Sequence, residues 1–219
     1  MLNSIFSKKT NFVGGGLIKS EIPLSGPNVC LSTQKFVAPR KIDNRDMCLM
    51  SSNQGQTPHC AGYSTAGYIE FQNWKMLHYP EQVNGDSIYV EAKKYDGFTD
   101  EGTTLIAAAQ GAIALGLIKG EGKHIPPDRT NIQFALHKYG VCTAGFMIDE
   151  CWNRTSNGRI VELRNARGLG GHAVLLCGYD SEGVYIQNSW GEIWGLHGFA
   201  VLPWNLFDKQ IMSGLVIDG

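Results

Sequence analysis

At 219 residues, 43% hydrophobic and 18% charged, the chain can bury a sizeable core as one domain or as two small lobes sharing a cleft. A net charge of −1 without a dense Lys/Arg cluster leaves no electrostatic footprint for nucleic acid or an anionic membrane surface. No segment approaches the roughly 18 apolar residues of a membrane span. Met1 to Thr10 mixes Asn3, Ser4, Ser7, Lys8 and Lys9 with isolated apolar residues, unlike a secretory signal. A cytoplasmic location is the resulting expectation, with non-classical export left open.

Residues 1–38 differ from the rest. Gly14-Gly15-Gly16, Pro23, Gly26 and Pro27 break any helical period, so this stretch reads as an extended arm ahead of a domain spanning 39–219. After Pro39 and Asp43-Asn44-Arg45 comes the bent loop Asn53-Gln54-Gly55-Gln56-Thr57-Pro58-His59-Cys60. The run Ala61 to Leu77 lacks proline and stops before Pro80, which predicts a helix of about four turns with Cys60 in its first turn. Unpaired N–H groups and the positive end of the helix dipole there favour a thiolate over a thiol.

A mixed stretch after Pro80 includes the short apolar Ile88-Tyr89-Val90 and the polar loop 96–102. Thr103 or Thr104 can then cap a helix carrying Leu105, Ile106, Ala109, Ile113 and Leu117, ended by Gly116 or Gly120. Another helix fits Asp128 to Tyr139, with Gly140 as its stop. The remainder reads as short strands at 141–148, 160–163, 173–178, 184–187, 198–202 and 214–217. Helices first and strands second define an α+β class, with a cleft between a helical and a sheet lobe as the natural place for a site. No internal repeat or low-complexity tract interrupts this pattern.

Six cysteines (Cys30, Cys48, Cys60, Cys142, Cys151, Cys177) include no C-x-x-C pair, so neither a zinc site nor any other metal or cofactor is expected. Without a signal, reduced buried thiols are a better reading than a disulfide framework. Cys60 read alone is one of these core thiols. A cysteine becomes a nucleophile when a base holds it as thiolate and a third group orients that base. Gly170-Gly171-His172-Ala173-Val174 places a histidine at the start of an apolar strand. Sixteen residues on, Asn188-Ser189-Trp190-Gly191, followed by Trp194-Gly195, offers an amide to accept the imidazole N–H and an indole to keep water from that bond.

Taken together, Gln54-Gly55 with Cys60, Gly171-His172-Ala173-Val174 and Asn188-Ser189-Trp190-Gly191 resemble the three motifs of papain-like cysteine peptidases, in the family's order. The resemblance spans roughly residues 38–203 and implies a two-lobe fold, helical first and antiparallel sheet or barrel second. By analogy Cys60 is the nucleophile, His172 the base and then acid, and Asn188 its orienting partner. The Gln54 amide joins the Cys60 N–H in an oxyanion hole, and Trp190 shields the His172–Asn188 pair. Gly102 is a candidate for holding substrate backbone, although a turn glycine before a helix explains it equally well.

Several positions depart from the family's pattern. Thr57 stands where it has a disulfide cysteine, Ala61 where it has a tryptophan, and Asp43-Asn44-Arg45 resembles its Asp-Trp-Arg with Asn44 in place of the tryptophan. Pro58 and His59 replace small residues beside the cleft. The implied activity is hydrolysis of a peptide or protein substrate. A silent peptide-binding module and an acyl transferase or isopeptidase using the same residues are the alternatives. Oligomeric state is left open. Residues 1–38, much shorter than the family's long helical prosegments, read as an arm or a short removable prosegment, with Leu17 to Phe36 long enough to cross a cleft.

Overall fold

Helix α1 (Cys60–Leu77) is the axis of the helical lobe. Its first twelve residues are buried on nearly every side, including Cys60, Ala61, Ala66, Tyr68, Ile69 and Phe71, and only its last turns reach solvent. A helix apolar all round belongs in a core, and α1 lies between the sheet and two further helices. It ends as His78 turns into the left-handed region at φ 51°. The computed structural model describes residues 16–18, 36–79 and 81–219.

Packed on α1 are α2 (Gly85–Ala92) and α3 (Leu105–Ala114). Asn84 caps α2 through the Ser87 N–H, and Thr104 caps α3 through the Ala107 N–H at 3.1 Å, as the sequence anticipates for Thr104. Helix α3 ends at Ala114, just ahead of Gly116, the nearer of the two glycine stops. Helix α2 departs from the reading of 88–90 as a short apolar run. Three apolar residues in a row mask a period that becomes visible only when Gly85 and Ala92 are counted on the buried side. Helix α4 (Arg129–Tyr139), capped by Asp128 and stopped by Gly140, matches its expected bounds.

The sheet contains nine strands among the described residues. These are β1 (Ile42–Asp43), β2 (Glu121–Ile125), β3 (Cys142–Asp149), β4 (Thr155–Ser156), β5 (Arg159–Ile160), β6 (Gly168–Tyr179), β7 (Gly183–Gln187), β8 (Phe199–Pro203) and β9 (Ile211–Asp218). Their order is β2-β9-β3-β6-β7-β8-β5-β4, with β1 also on β6. All pairings are antiparallel except the single β5–β8 contact. A short helix, α5 (Trp204–Gln210), links β8 to β9.

Strand β6 corrects the expected 173–178. It begins five residues earlier, because the glycines at 168, 170 and 171, read as a loop, pair with Asp149, Ile148 and Met147 of β3. His172 therefore sits inside a strand, opposite Phe146, rather than at its start. Residues 161–163 lie outside any strand, contrary to expectation, and β2 and α5 carried no distinct sequence signal. The order of helices before strands is also looser than expected, since α4 lies between β2 and β3 and α5 between β8 and β9. The α+β class and the lobed division hold. Strand β6 packs against α1, and this contact brings residue 60 to residue 172.

Candidate active site

Cys60 is the first residue of α1 and is completely buried. The Ala173 N–H is near enough to lower the Cys60 thiol, so the sulfur sits close to the residue that follows His172 in β6. Burial pushes the Cys60 thiol up to about 11, with the N–H groups of Ala173, Ala61 and Cys60 itself pulling the other way. Burial therefore opposes the thiolate expected from the helix start. Removing the sulfur from water outweighs the partial charge of one helix terminus.

His172 is 1% exposed. Its Nε2 lies 2.7 Å from Asn188 Oδ1, which also accepts the Ser189 N–H at 2.9 Å. That second bond fixes the amide, because only an oxygen can accept from a backbone N–H. Nε2 must then carry the proton, and Nδ1 presents a lone pair. Nδ1 is buried without a hydrogen-bond partner among the described residues. Burial pushes His172 down to about 4, opposed by the bond to Asn188, so the imidazole is neutral.

Two indoles pack on the ring and a third backs them. Trp190 stacks on His172 at 4.8 Å and 29°, and Trp152 meets it edge-on at 6.0 Å. Trp194 stands perpendicular to Trp190 at 5.7 Å and gives its Nε1–H to the Trp152 carbonyl at 2.8 Å. Trp190 was anticipated from its motif. Trp152 was not, since it comes from the 150–153 turn and only β3 returns it to the site. Asn188 is anchored through its own backbone: its N–H bonds the Gly198 carbonyl at 2.9 Å, and Ser51 Oγ donates to its carbonyl.

Gln54 is 5% exposed and lies on the same loop as Cys60. Its backbone N–H bonds Ser189 O at 2.8 Å, and its side-chain Oε1 accepts from Ser189 Oγ, so it is tied to the asparagine motif twice. Nε2 donates to the Thr57 carbonyl at 2.7 Å, which uses one of its two hydrogens and leaves one. Asn53 and Trp190 form an isolated bridge that holds the same two loops together.

Residues 16–18 lie across this cleft. Ile18 N–H bonds Thr103 O at 3.0 Å and Thr103 N–H bonds Gly16 O at 3.0 Å, a parallel bridge between Leu17 and Thr103. On the other side Leu17 N–H bonds Gly171 O at 3.2 Å. Leu17 is 7% exposed. Its carbonyl lies 2.2 Å from where a Cβ on Gly171 would stand, and its Cδ2 lies 2.4 Å from the corresponding point on Gly145. Side chains at either glycine would fill the space that Leu17 takes. The room that the missing side chain at Gly171 creates is occupied by Leu17. The stretch 19–35, which includes most of the arm that the sequence sends across a cleft, lies outside the described residues.

Gly102, the anticipated backbone holder, sits at φ 94° with Gly16 O 2.6 Å from its virtual Cβ. The two bonds to the arm come from its neighbour Thr103, which sequence reasoning took only as a possible helix cap. Cys142, Cys151 and Cys177 are buried and Cys48 is half-buried; with Cys60 they are free, so the described residues contain no disulfide. No group of three or more His, Cys, Asp and Glu is gathered to hold a metal among the described residues. No helix among them is long and apolar enough to cross a membrane.

A cysteine on a helix start, a histidine on the facing strand and an asparagine behind it are the arrangement that the sequence resemblance implies for a two-lobe cysteine-protease fold. The model of the papain family of cysteine proteases matches residues 72–211, more than half of the chain, and this chain belongs to that family. The matched span contains His172 and Asn188 and begins after Cys60. Its fold is similar to that of xylellain, a cysteine protease from Xylella fastidiosa, with a TM-score of 0.80, 19% identity and coverage of 98% of this chain and 99% of that one. Procathepsin B S9 from Trypanosoma congolense is similar at TM-score 0.69 and 14% identity, covering 94% and 86% of the two chains. Digestive procathepsin L 3 of the Tenebrio molitor larval midgut gives 0.68 and 15%, covering 96% and 76%. No curated protein matches at the sequence level.

Proposed function

We propose that the protein is a cysteine peptidase that hydrolyses peptide bonds through an acyl-enzyme on Cys60. The observation that carries this reading is the bracketing of His172. Its Nε2 is held by Asn188 Oδ1 and its unpaired Nδ1 belongs to the residue next to Ala173, whose N–H is near enough to lower the Cys60 thiol. In the proposed reaction His172 Nδ1 takes the thiol proton as sulfur attacks the scissile carbonyl carbon. The oxyanion forms opposite the Cys60 N–H and the remaining Gln54 Nε2 hydrogen, donors that act on charge present only in the tetrahedral intermediate. The carbon–nitrogen bond then breaks, the imidazolium protonates the departing amine, and water releases the acyl group by the reverse sequence.

Residues 16–18 of the arm, which the sequence sets at 1–38 ahead of a catalytic domain that begins at 39, act on this reading as a plug. Leu17 occupies the space between Thr103 and Gly171, the residue that precedes His172. Substrate backbone takes the same Thr103 edge once the arm leaves, and Gly102 leaves room for its approach. Trp190 serves the His172–Asn188 pair rather than the substrate, since it is 1% exposed.

The test is a peptide-library cleavage profile of the purified chain beside Cys60→Ala, together with mass spectrometry of both N-termini. Cleavage by the wild type alone, with loss of the arm or its displacement preceding activity, is the expected result. No turnover after the arm is displaced, with intact peptide still bound, would assign the cleft to a silent binding module.

A further inference from the structure

The turn that ends at Thr103 has no strand partner in the sheet, yet Thr103 makes both backbone bonds to the segment in the cleft. What holds it is one face of α2. Asp86, Tyr89 and the C-cap Lys93 follow one another at spacings of three and four residues, the spacing that stacks side chains on a single helical face. Each makes contacts at one end of the cleft or the other.

At the nucleophile end, Asp86 Oδ1 lies 2.7 Å from His59 Nδ1, and Tyr63 Oη donates to Asp86 Oδ2 at 3.1 Å. The ring of Tyr89 stacks on His59 at 3.8 Å and 22°. His59 immediately precedes Cys60, so these contacts fix the backbone that enters the first turn of α1. At the peptide end, the same Tyr89 accepts the Gly102 N–H on its hydroxyl at 3.1 Å. Lys93 Nζ donates to the Gly102 carbonyl at 3.0 Å and the Asp100 carbonyl at 2.9 Å, and pairs with Asp96 Oδ2 at 2.7 Å. Two of the ammonium's three hydrogens are thus donated within this turn, and the ion pair with Asp96 holds the head group beside it. Gly102, the residue before Thr103, is thus held at its N–H by Tyr89 and at its carbonyl by Lys93.

From these contacts we propose that Tyr89 and Lys93 are positioning residues. They hold the 100–103 turn at a set distance and register from Cys60, so that an extended chain paired with Thr103 presents a single peptide bond to the sulfur. The catalytic part of this inference rests on the peptidase reading above; the positioning part does not. A small displacement matters because misplacing a reacting bond by about 1 Å can cost on the order of a hundredfold in rate.

The experiment compares Lys93→Met, Lys93→Arg and Tyr89→Phe in the full chain. NMR-detected amide exchange is read at Ile18 and Thr103, whose N–H groups cross the bridge, and at Val174 to Leu176 of β6 as a control. Lys93→Met is expected to speed exchange at Ile18 and Thr103 about tenfold and Tyr89→Phe about fivefold, with β6 unchanged. Lys93→Arg, which keeps a donor cation, should restore protection. No acceleration at Ile18 and Thr103, or equal acceleration in β6, would overturn the proposal. Turnover is then measured with Leu17→Asp added to release the arm. An extended peptide substrate should lose about tenfold in kcat/KM, and a single-residue acyl ester that does not reach Thr103 should stay within about twofold. Equal losses on both would overturn the positioning role in catalysis. If neither is turned over even with Lys93 and Tyr89 intact, the peptidase reading fails, and amide exchange alone decides the positioning proposal.

Discussion

On one side of Leu17 the cleft wall is β6, its backbone paired with β3 along 168–176 and with β7 along 175–179. On the other side it is a turn without a ladder, held by two side chains of α2. The sheet wall carries His172 in a rigid setting and makes room by omitting side chains at Gly145 and Gly171. The helical wall carries Cys60 and makes its contacts to the arm through backbone groups that something else must steady. On the proposed function, chemistry is built into elements with many redundant bonds, whereas peptide capture depends on a few replaceable ones. Sub-globally weak segments are where local opening is expected.

The largest expected effect tests the pairing of the two walls. Cys60→Ala on one wall and His172→Ala on the other should each abolish peptide hydrolysis, by about 10⁴-fold or more, and the double variant should lose little further because the pair acts as a unit. Fluorogenic peptide assays after arm release check this, and additive losses would separate the two walls functionally.

Gln54→Ala should lower kcat by about a hundredfold with KM little changed, the loss of one donor to a developing oxyanion, worth about 3 kcal/mol. Steady-state kinetics decide between that outcome and a rise in KM, which would point instead to the broken Gln54–Ser189 contact between the loops.

Overfilling the sheet wall sharpens the comparison from the other direction. Gly171→Ala places a Cβ 2.2 Å from the Leu17 carbonyl and should expel the arm without touching the helical wall. With the arm seated, Cys60 is raised to about 11, so alkylation by iodoacetamide is slow at pH 8 and climbs about tenfold per pH unit toward that value. In Gly171→Ala water returns to the sulfur, the thiol pKa falls, and the rate profile moves to lower pH. At pH 8 the gain should be about ten- to a hundredfold. Selective labelling of Cys60 at pH 6 is expected of this variant and not of the closed chain.

The smallest effect concerns the outer support of β6. Asp43 pairs with Gly178 across the β1–β6 ladder and bonds Arg45, whose guanidinium lies 4.3 Å from the Tyr185 ring centroid. The Arg45 bond holds the Asp43 carboxyl down to about 2. A lowered carboxyl stabilises the fold above its unfolded value and loses that contribution as pH falls through the folded value. Asp43→Asn should therefore cost about 1 kcal/mol or less near neutral pH, since the pair is partly solvated. The difference should vanish near pH 2, and urea unfolding at the two pH values measures it.

The helices α1, α3 and α4 were legible because their signals are local: a proline-free run, a threonine or aspartate cap, a glycine stop. The chemical residues were legible for a different reason. Cysteine, histidine and asparagine at those motifs have few competing explanations when they occur together. Helix α2 was hidden behind a glycine start and three consecutive apolar residues, and the early half of β6 behind glycines that read as loop but serve as cleared space. Trp152, Tyr89 and Lys93 carry no motif. Their roles arise from what they touch across tens of residues, in the turn of 150–153 or on one face of a helix.

The family, the α+β class and the Cys60, His172, Asn188 and Gln54 set follow from sequence because residue chemistry and local backbone preference are written position by position. The protonation of the pair and the occupancy of the cleft were decided by tertiary structure alone. Both depend on burial, a property of the assembled surroundings rather than of any residue. Leu17 is seated between Thr103 and Gly171, and the Cys60 thiol is raised by burial in the assembled core.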